Sequence, residues 1–429
     1  VDRALKSLKY QSWENPRCEV FKSLAQAKPM SRDFCLVCKG GRLLCGLPTC
    51  PLLRKVRFQS PIEERLREEI FGPSPSIFVG WRGYPETFAG PLTSVYDGEA
   101  ALLDDPSRWY GLDFDEIIRL RSSLVRSKAR EDARKAARMR LNLQEVALST
   151  KPVDTEVRFK TKPRYGISFS PVSQPMGPTG ILERFEIASN PVIPKRVDQL
   201  VQDEVRATEA VRELYRSGYD VYYLARVLSS GSLGKRDTRR LVPTRWSITA
   251  TDDMIGRSLI QEIKNYPLIS EHMVFHNTYL ENHFEILLLP SSWEFEQFEA
   301  WAPNTLWTMS LSEPKIVHEN ERYKGRTDYA LKEGGGYYAG RLAVLEALAK
   351  MRRQAAVCVF RETYEGYVIP VGVWEVRENV RRAMSNAPER FPSQEEALKR
   401  IKSRLRIDIS QYVAKSETLA QRRLLEFKI

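Results

Sequence analysis

EHMVFHNTY (271–279) and HFEILLLP (283–290) decide the fold class of this 429-residue chain. Both are short, apolar and rich in β-branched or aromatic residues, and AAVCVFRE (355–362) and GYVIPVGVWEV (366–376) share that character, so all four read as strands. GYYAGRLAVLEALAKMRRQ (336–354) and SQEEALKRIKSRL (393–405) instead carry apolar residues at helical spacing. The two kinds of segment mix without a regular strand–helix–strand rhythm or a dinucleotide fingerprint. The pattern predicts an α+β fold, with mixed sheets and packed helices.

Working upstream, ILERFEIA (181–188) and DVYYLARVL (220–228) read as strands, and residues 197–218 as an amphipathic helix closed by Gly218. Ile117, Leu120, Leu124, Ala133, Ala137 and Leu141 recur every three or four residues where the period holds, predicting one long helix from Asp113 to about Val146. Its other face is crowded with Arg and Lys. Residues 61–71 suggest a short helix opened by Ser60-Pro61, and SIFVGWRGYPETFAGPL (76–92) a strand followed by a Gly/Pro loop. RYGISFSPVSQPMGPTG (164–180) holds too many prolines for a regular element. The expected organisation is an N-terminal segment over 1–60, a central α+β domain over 61–290, a C-terminal α+β domain over 291–415 and a flexible tail over 416–429.

Lys plus Arg outnumber Asp plus Glu by 67 to 55, a net charge of +12. Such a surplus favours a polyanionic partner, because basic side chains release counterions when they meet phosphate. No apolar run approaches the length of a membrane span, and the start lacks a signal peptide's apolar core. A cytoplasmic protein is therefore expected, associated with the nucleoid if its polyanion is DNA.

Four of the six cysteines fall in CLVCKGGRLLCGLPTC, as Cys35, Cys38, Cys45 and Cys50. Their C-x2-C-x6-C-x4-C spacing offers four thiolates to a tetrahedral metal, with Gly40, Gly41 and Gly46 allowing tight turns. Four protein ligands would fill the coordination sphere of zinc, which makes the site structural rather than catalytic. An iron–sulfur cluster is the other metal group the spacing admits.

LGKRDTRRLVPTRW (233–246) packs Lys235, Arg236, Arg239, Arg240 and Arg245 beside Ser229, Ser230, Ser232 and Thr238, with Trp246 at its end. Guanidinium forks and hydroxyls suit phosphate, and the indole suits an unpaired base. A plain solvated loop is the alternative. The last residues, QRRLLEFKI (421–429), resemble the Q-x-x-[LIM]-x-x-aromatic-aromatic box that docks on the ring-shaped sliding clamp (PCNA), with Phe427 as its first aromatic. One helical turn puts Leu424 and Phe427 on a common side for an apolar pocket, beside Leu425, while Gln421 offers its amide. The same residues would also suit a helix end packed on the protein's own core.

Asp237, Asp252, Asp253 and Glu285 have the chemistry to hold Mg²⁺ for phosphodiester cleavage. Nothing in their spacing shows that they converge, so no catalytic residue is assigned. GGGYYAG (334–340) reads as a hinge, or as an anion site at a helix start.

The cysteine cluster at 35–50, the segments 78–92 and 164–180, GVWEVRENVRRAM (372–384) and the terminal QRRLLEFKI together resemble the archaeal Nre family of DNA-repair proteins over nearly the whole chain. The resemblance implies a role in repairing or tolerating DNA damage and a link to the sliding clamp through Gln421, Leu424 and Phe427. Lys428 departs from the usual docking pattern, where a second aromatic stands. The resulting expectation is a clamp-tethered DNA-repair protein with a structural zinc, acting as a nuclease or as a non-catalytic scaffold. An RNA-binding zinc protein is the third reading, and it would lack clamp binding.

Overall fold

The structure, a computed structural model, describes residues 62–420 except 97, 136–137, 167–175, 304, 306, 309–310 and 368, and also Cys38, Arg42, Leu43, Cys50 and Leu53. Two compact units divide the chain between Ile255 and Gly256. In the first unit, β1 (Glu69–Ser74), β2 (Ser76–Val79), β3 (Glu86–Ser94), β4 (Leu124–Asp132), β5 (Val153–Phe159) and β6 (Thr179–Ile187) form a sheet in the order β1-β5-β6-β4-β3-β2. Only the β4–β6 pair is parallel. With these strands come α1 (Phe114–Ser122), α2 (Arg138–Leu148), α3 (Lys195–Gln202), α4 (Ala207–Arg216) and α5 (Val221–Ser229). Leu143, Val146 and Ala147 of α2 pack with Ile77, Val79, Ala89 and Val153 of the sheet. Helix α6 (Thr244–Ile263) carries the chain into the second unit.

There, β7 (His272–Tyr279), β8 (Asn282–Leu289), β9 (Glu294–Trp301), β10 (Lys315–Glu321), β11 (Ala356–Thr363) and β12 (Glu389–Phe391) form a sheet in the order β10-β9-β11-β8-β7-β12. Its one parallel pair is β9–β11. Phe284, Ile286, Leu288, Val357 and Val359 pack on one side with α7 (Gly335–Met351) and α8 (Val373–Ser385). Leu287, Leu289, Cys358 and Phe360 face the other way, toward α9 (Gln394–Lys402), α10 (Ser410–Val413) and α11 (Glu417–Ala420). Coverage on both faces explains why β8 is buried along its whole length and ends in consecutive apolar residues, Ile286–Leu289, rather than alternating. The α+β class holds.

Several expected elements differ. The helix expected over 113–146 is α1, then β4, then α2. Asp113 and Glu116 cap α1 reciprocally, and the chain then alternates Val125, Ser127 and Ala129 against Arg126, Lys128 and Arg130. That period of two was hidden under chance matches at three and four. DVYYLARVL is helix α5, because the Asp220 carboxylate accepts the Tyr222 and Tyr223 backbone N–H groups at 2.8 and 2.9 Å and starts a turn. The strand expected at 366–376 is not formed among the described residues, and α8 starts at Val373 after Gly372 at φ +113°. Residues 76–92 form the β2–β3 hairpin rather than a strand and a loop, and 61–71 lead into β1. The helix at 197–218 is broken into α3 and α4 around Glu204, at φ +56°.

The expected boundary at 290 falls inside the second sheet, where β8 pairs with β11. Nor does the chain leave the folded body at Ser416. The Glu296 carboxylate accepts the Ser416 hydroxyl and the Glu417 and Thr418 backbone N–H groups, the latter two at 2.9 and 3.3 Å, and Leu419 is buried.

Candidate nucleic-acid interface

The tip of the β2–β3 hairpin, residues 80–85, meets the segment that carries the basic loop. The Val79 backbone N–H donates to Thr244 Oγ1 at 2.9 Å, and the Tyr84 hydroxyl donates to the Leu241 carbonyl at 3.1 Å. Trp246 lies edge-on to Tyr84 with ring centroids 5.1 Å apart. Two guanidiniums, of Arg82 and Arg245, stand 5.5 and 5.8 Å from the centre of the Trp81 ring. Arg82 is exposed, while Trp81, Arg245 and Trp246 are half-buried. Burial raises the Tyr84 pKa although Arg240, Arg134 and Arg140 pull it down, so the phenol stays protonated among cations. The Trp246 Nε1–H is buried and meets no acceptor among the described residues. This constellation of indoles and guanidiniums has the chemistry to stack an unpaired base and hold its phosphate.

Of the loop residues singled out from the sequence, Arg245 and Trp246 join this cluster. Lys235 and Arg236 are exposed, with Arg236 2.8 Å from Glu204. Arg239 is turned inward and donates to the Gly234 carbonyl at 2.7 Å and to the Val201 carbonyl. Arg240 is half-buried near Tyr84. The expected hydroxyl cradle is not formed: Ser229 donates to the Val242 carbonyl at 2.8 Å and Ser230 pairs with Ser232 at 2.7 Å, all three buried. They brace the loop from inside. Trp81, Arg82 and Tyr84 were not picked out as a site, though the W-R-G-Y run between two short apolar stretches was the available signal.

The four acids are divided between the two units. Glu285 lies in the second unit, where it accepts two N–H groups of Arg404 at 2.6 and 2.7 Å and faces His283 Nε2 at 2.9 Å. Asp237 sits in an exposed turn of the first unit, and Asp252 and Asp253 are buried on α6. Cys38 is buried and Cys50 half-buried, whereas Cys35 and Cys45 lie outside the described residues. Gln421, Leu424, Leu425 and Phe427 lie outside them too.

The second unit also buries a charged network. Arg361 donates to Glu299 at 2.8 Å, to Asn282 at 2.8 and 3.0 Å, and to Glu375 at 3.4 Å. Burial lifts the carboxyls of Glu299 and Glu333, and brings Glu375 up to about 7. Gly336 and Gly340 of the glycine run lie against Glu299 and Gln297, so those glycines serve close packing rather than a hinge.

Two family descriptions match in tandem: "Archaeal Nre, N-terminal" over residues 44–308 and "Archaeal Nre, C-terminal" over residues 321–427. The DNA repair protein NreA of Archaeoglobus fulgidus is 41% identical over 368 residues, covering 85% of this chain and 92% of its own length. NreB of the same organism, also named a DNA repair protein, is 36% identical over 398 residues, 92% of this chain and 99% of its own. The DNA repair protein NreA of Haloferax volcanii is 37% identical over 339 residues, 76% of this chain and 81% of its own. No solved structure matches the chain. Identity of that order, spread across both units, places the chain in the archaeal Nre family.

Proposed function

We propose that this chain is a DNA-repair protein that grips DNA with its first unit and is held at the replication sliding clamp by its C-terminal peptide. One observation carries the DNA half: the Trp81, Arg82, Tyr84, Arg245 and Trp246 side chains, from segments about 160 residues apart, converge on one surface. The repair role is supported by the names of the relatives. For the tether, Gln421, Leu424, Leu425 and Phe427 are the docking residues, following directly on the anchored α11. Tethering raises local concentration at the clamp without tight intrinsic DNA binding. In this reading Cys35, Cys38, Cys45 and Cys50 hold a structural zinc.

The test uses a labelled single-stranded oligonucleotide and the purified clamp. Trp81→Ala is expected to weaken oligonucleotide binding by about 1–3 kcal/mol, the range for one stacked base. Removing residues 421–429 is expected to abolish capture on immobilised clamp while leaving oligonucleotide binding intact. Wild-type affinity in Trp81→Ala would move the DNA contact elsewhere, and undiminished capture would remove the tether.

A further inference from the structure

Strand β4 presents Arg126, Lys128 and Arg130 at alternate positions, so the three share one face of the first sheet. On the β3 side, Leu92 pairs with Arg126 and Phe88 with Arg130, and the same register brings Gly90 level with Lys128. A side chain at Gly90 would meet the Ser127 carbonyl oxygen at 1.9 Å, so that position stays bare. On the β6 side, Thr179 pairs with Arg126 and Ile181 with Lys128. Phe88 and Ile181 are 39% and 43% exposed, which leaves Lys128 in a strip walled by an aromatic ring and an aliphatic side chain.

Charge divides this face into two halves. Toward β5 and β6 the cations are neutralised: Arg158 lies 3.5 Å from Glu69 and 3.1 Å from Glu183, and Arg184 lies 2.9 Å from Glu186. Along β4, none of Arg126, Lys128 and Arg130 has a carboxylate within ion-pair distance among the described residues. Arg126 instead lies 4.8 Å from the Phe78 ring centre and close to the Met176 sulfur. Burial, and then repulsion from Arg126, lower the Lys128 pKa, as expected of a cation lacking a counterion. Carboxylates stand at the strand's end, where Glu86 pairs with Asp132, itself 3.5 Å from Lys135. At that end the Ala133 backbone N–H donates to the Pro85 carbonyl at 2.9 Å, joining the strip to the hairpin tip that holds Trp81 and Arg82.

We propose that this strip is a track for single-stranded DNA, with backbone phosphates following Arg126, Lys128 and Arg130 and bases resting on Phe88 and Ile181. The proposal rests on the DNA-binding reading above and adds the path the strand takes. Side chains two residues apart on a strand are about 6.8 Å apart, close to the distance between successive phosphates of an extended single strand. A flat sheet face with an exposed ring accepts unpaired bases, whereas a duplex would bury its bases away from Phe88.

The test is anisotropy of a labelled oligothymidylate with the full chain across a sodium chloride series. The double variant Lys128→Gln/Arg130→Gln is expected to lose about tenfold in affinity. Its plot of log K against log salt should flatten by about 1.4, two contacts at about 0.7 each. Arg158→Gln, on the neutralised half, should match wild type. Arg130→Gln alone, at the exposed end, serves if the double variant melts early, with an expected slope change of about 0.7. Wild-type affinity and slope in these β4 variants, beside a loss in Trp81→Ala, would overturn the track and leave the DNA-binding reading standing. An equal loss in Arg158→Gln would overturn it as a mere net-charge effect. A wild-type chain that does not bind the oligonucleotide would remove both.

Discussion

Gly340 of α7 lies so close to Gln297 of β9 that a methyl group there would stand 2.1 Å from Oε1 of the amide. Gln297 is fully buried and its Nε2 donates to Glu333 at 2.8 Å, so the amide has little room to yield. Gly340→Ala gains about 1 kcal/mol in helix propensity. Against this stand overpacking and a broken buried hydrogen bond, each costing about 1–3 kcal/mol. The net expectation is a loss of about 3 kcal/mol in urea unfolding. A double-mutant cycle identifies the cause: in a Gln297→Ala background, Gly340→Ala should turn neutral or stabilising. An unchanged penalty in that background would place the strain elsewhere on α7.

In the second unit β7, β8, β11 and α7 were legible because they are apolar enough for composition to mark them, whereas β9 and β10, which carry Glu294, Glu296, Glu299, Glu319 and Glu321, did not read as strands. In the first unit, the amphipathic sheet face puts Arg and Lys on β4 at every second place, and counting apolar residues at helical spacing mistook that strand for part of a helix. Strand propensity misled at 220–228, where the Asp220 cap and burial of Val221, Tyr223, Leu224, Val227 and Leu228 impose a helix. Two of the five residues of the proposed DNA-contact cluster, Arg245 and Trp246, were visible in the basic loop. The other three, Trp81, Arg82 and Tyr84, needed the hairpin register, because only folding brings Trp81 to Arg245.

The cysteine cluster yields a metal prediction. Purified chain is expected to carry about one zinc, and Cys38→Ser or Cys50→Ser to lose most of it, as read by elemental analysis. Iron with visible absorbance would instead assign the iron–sulfur alternative, and metal-free protein would leave four ordinary thiols. Because four thiolates fill a tetrahedral site, the loss should appear as lowered stability of the N-terminal segment to proteolysis, with oligonucleotide affinity of the first unit little changed.

Glu375 supplies a pH dependence with a definite sign. It is fully buried 3.4 Å from Arg361, and accepts the Asn379 amide at 2.9 Å. Burial nonetheless brings its pKa up to about 7, from an ordinary value of 4.5, with Arg361 and Asn379 opposing the rise. Between those values the folded chain keeps a proton that the unfolded chain has released. Stability therefore falls as pH rises through that window, by roughly 3 kcal/mol for a shift of that size. Glu375→Gln fixes a neutral side chain and should flatten the decline between pH 5 and pH 8 in urea unfolding. Parallel curves for wild type and variant would mean that Glu375 is ionised throughout, with its attraction to Arg361 outweighing the cost of burial. The raised carboxyls of Glu299 and Glu333 act in the same direction, so the variant should retain part of the slope rather than lose all of it.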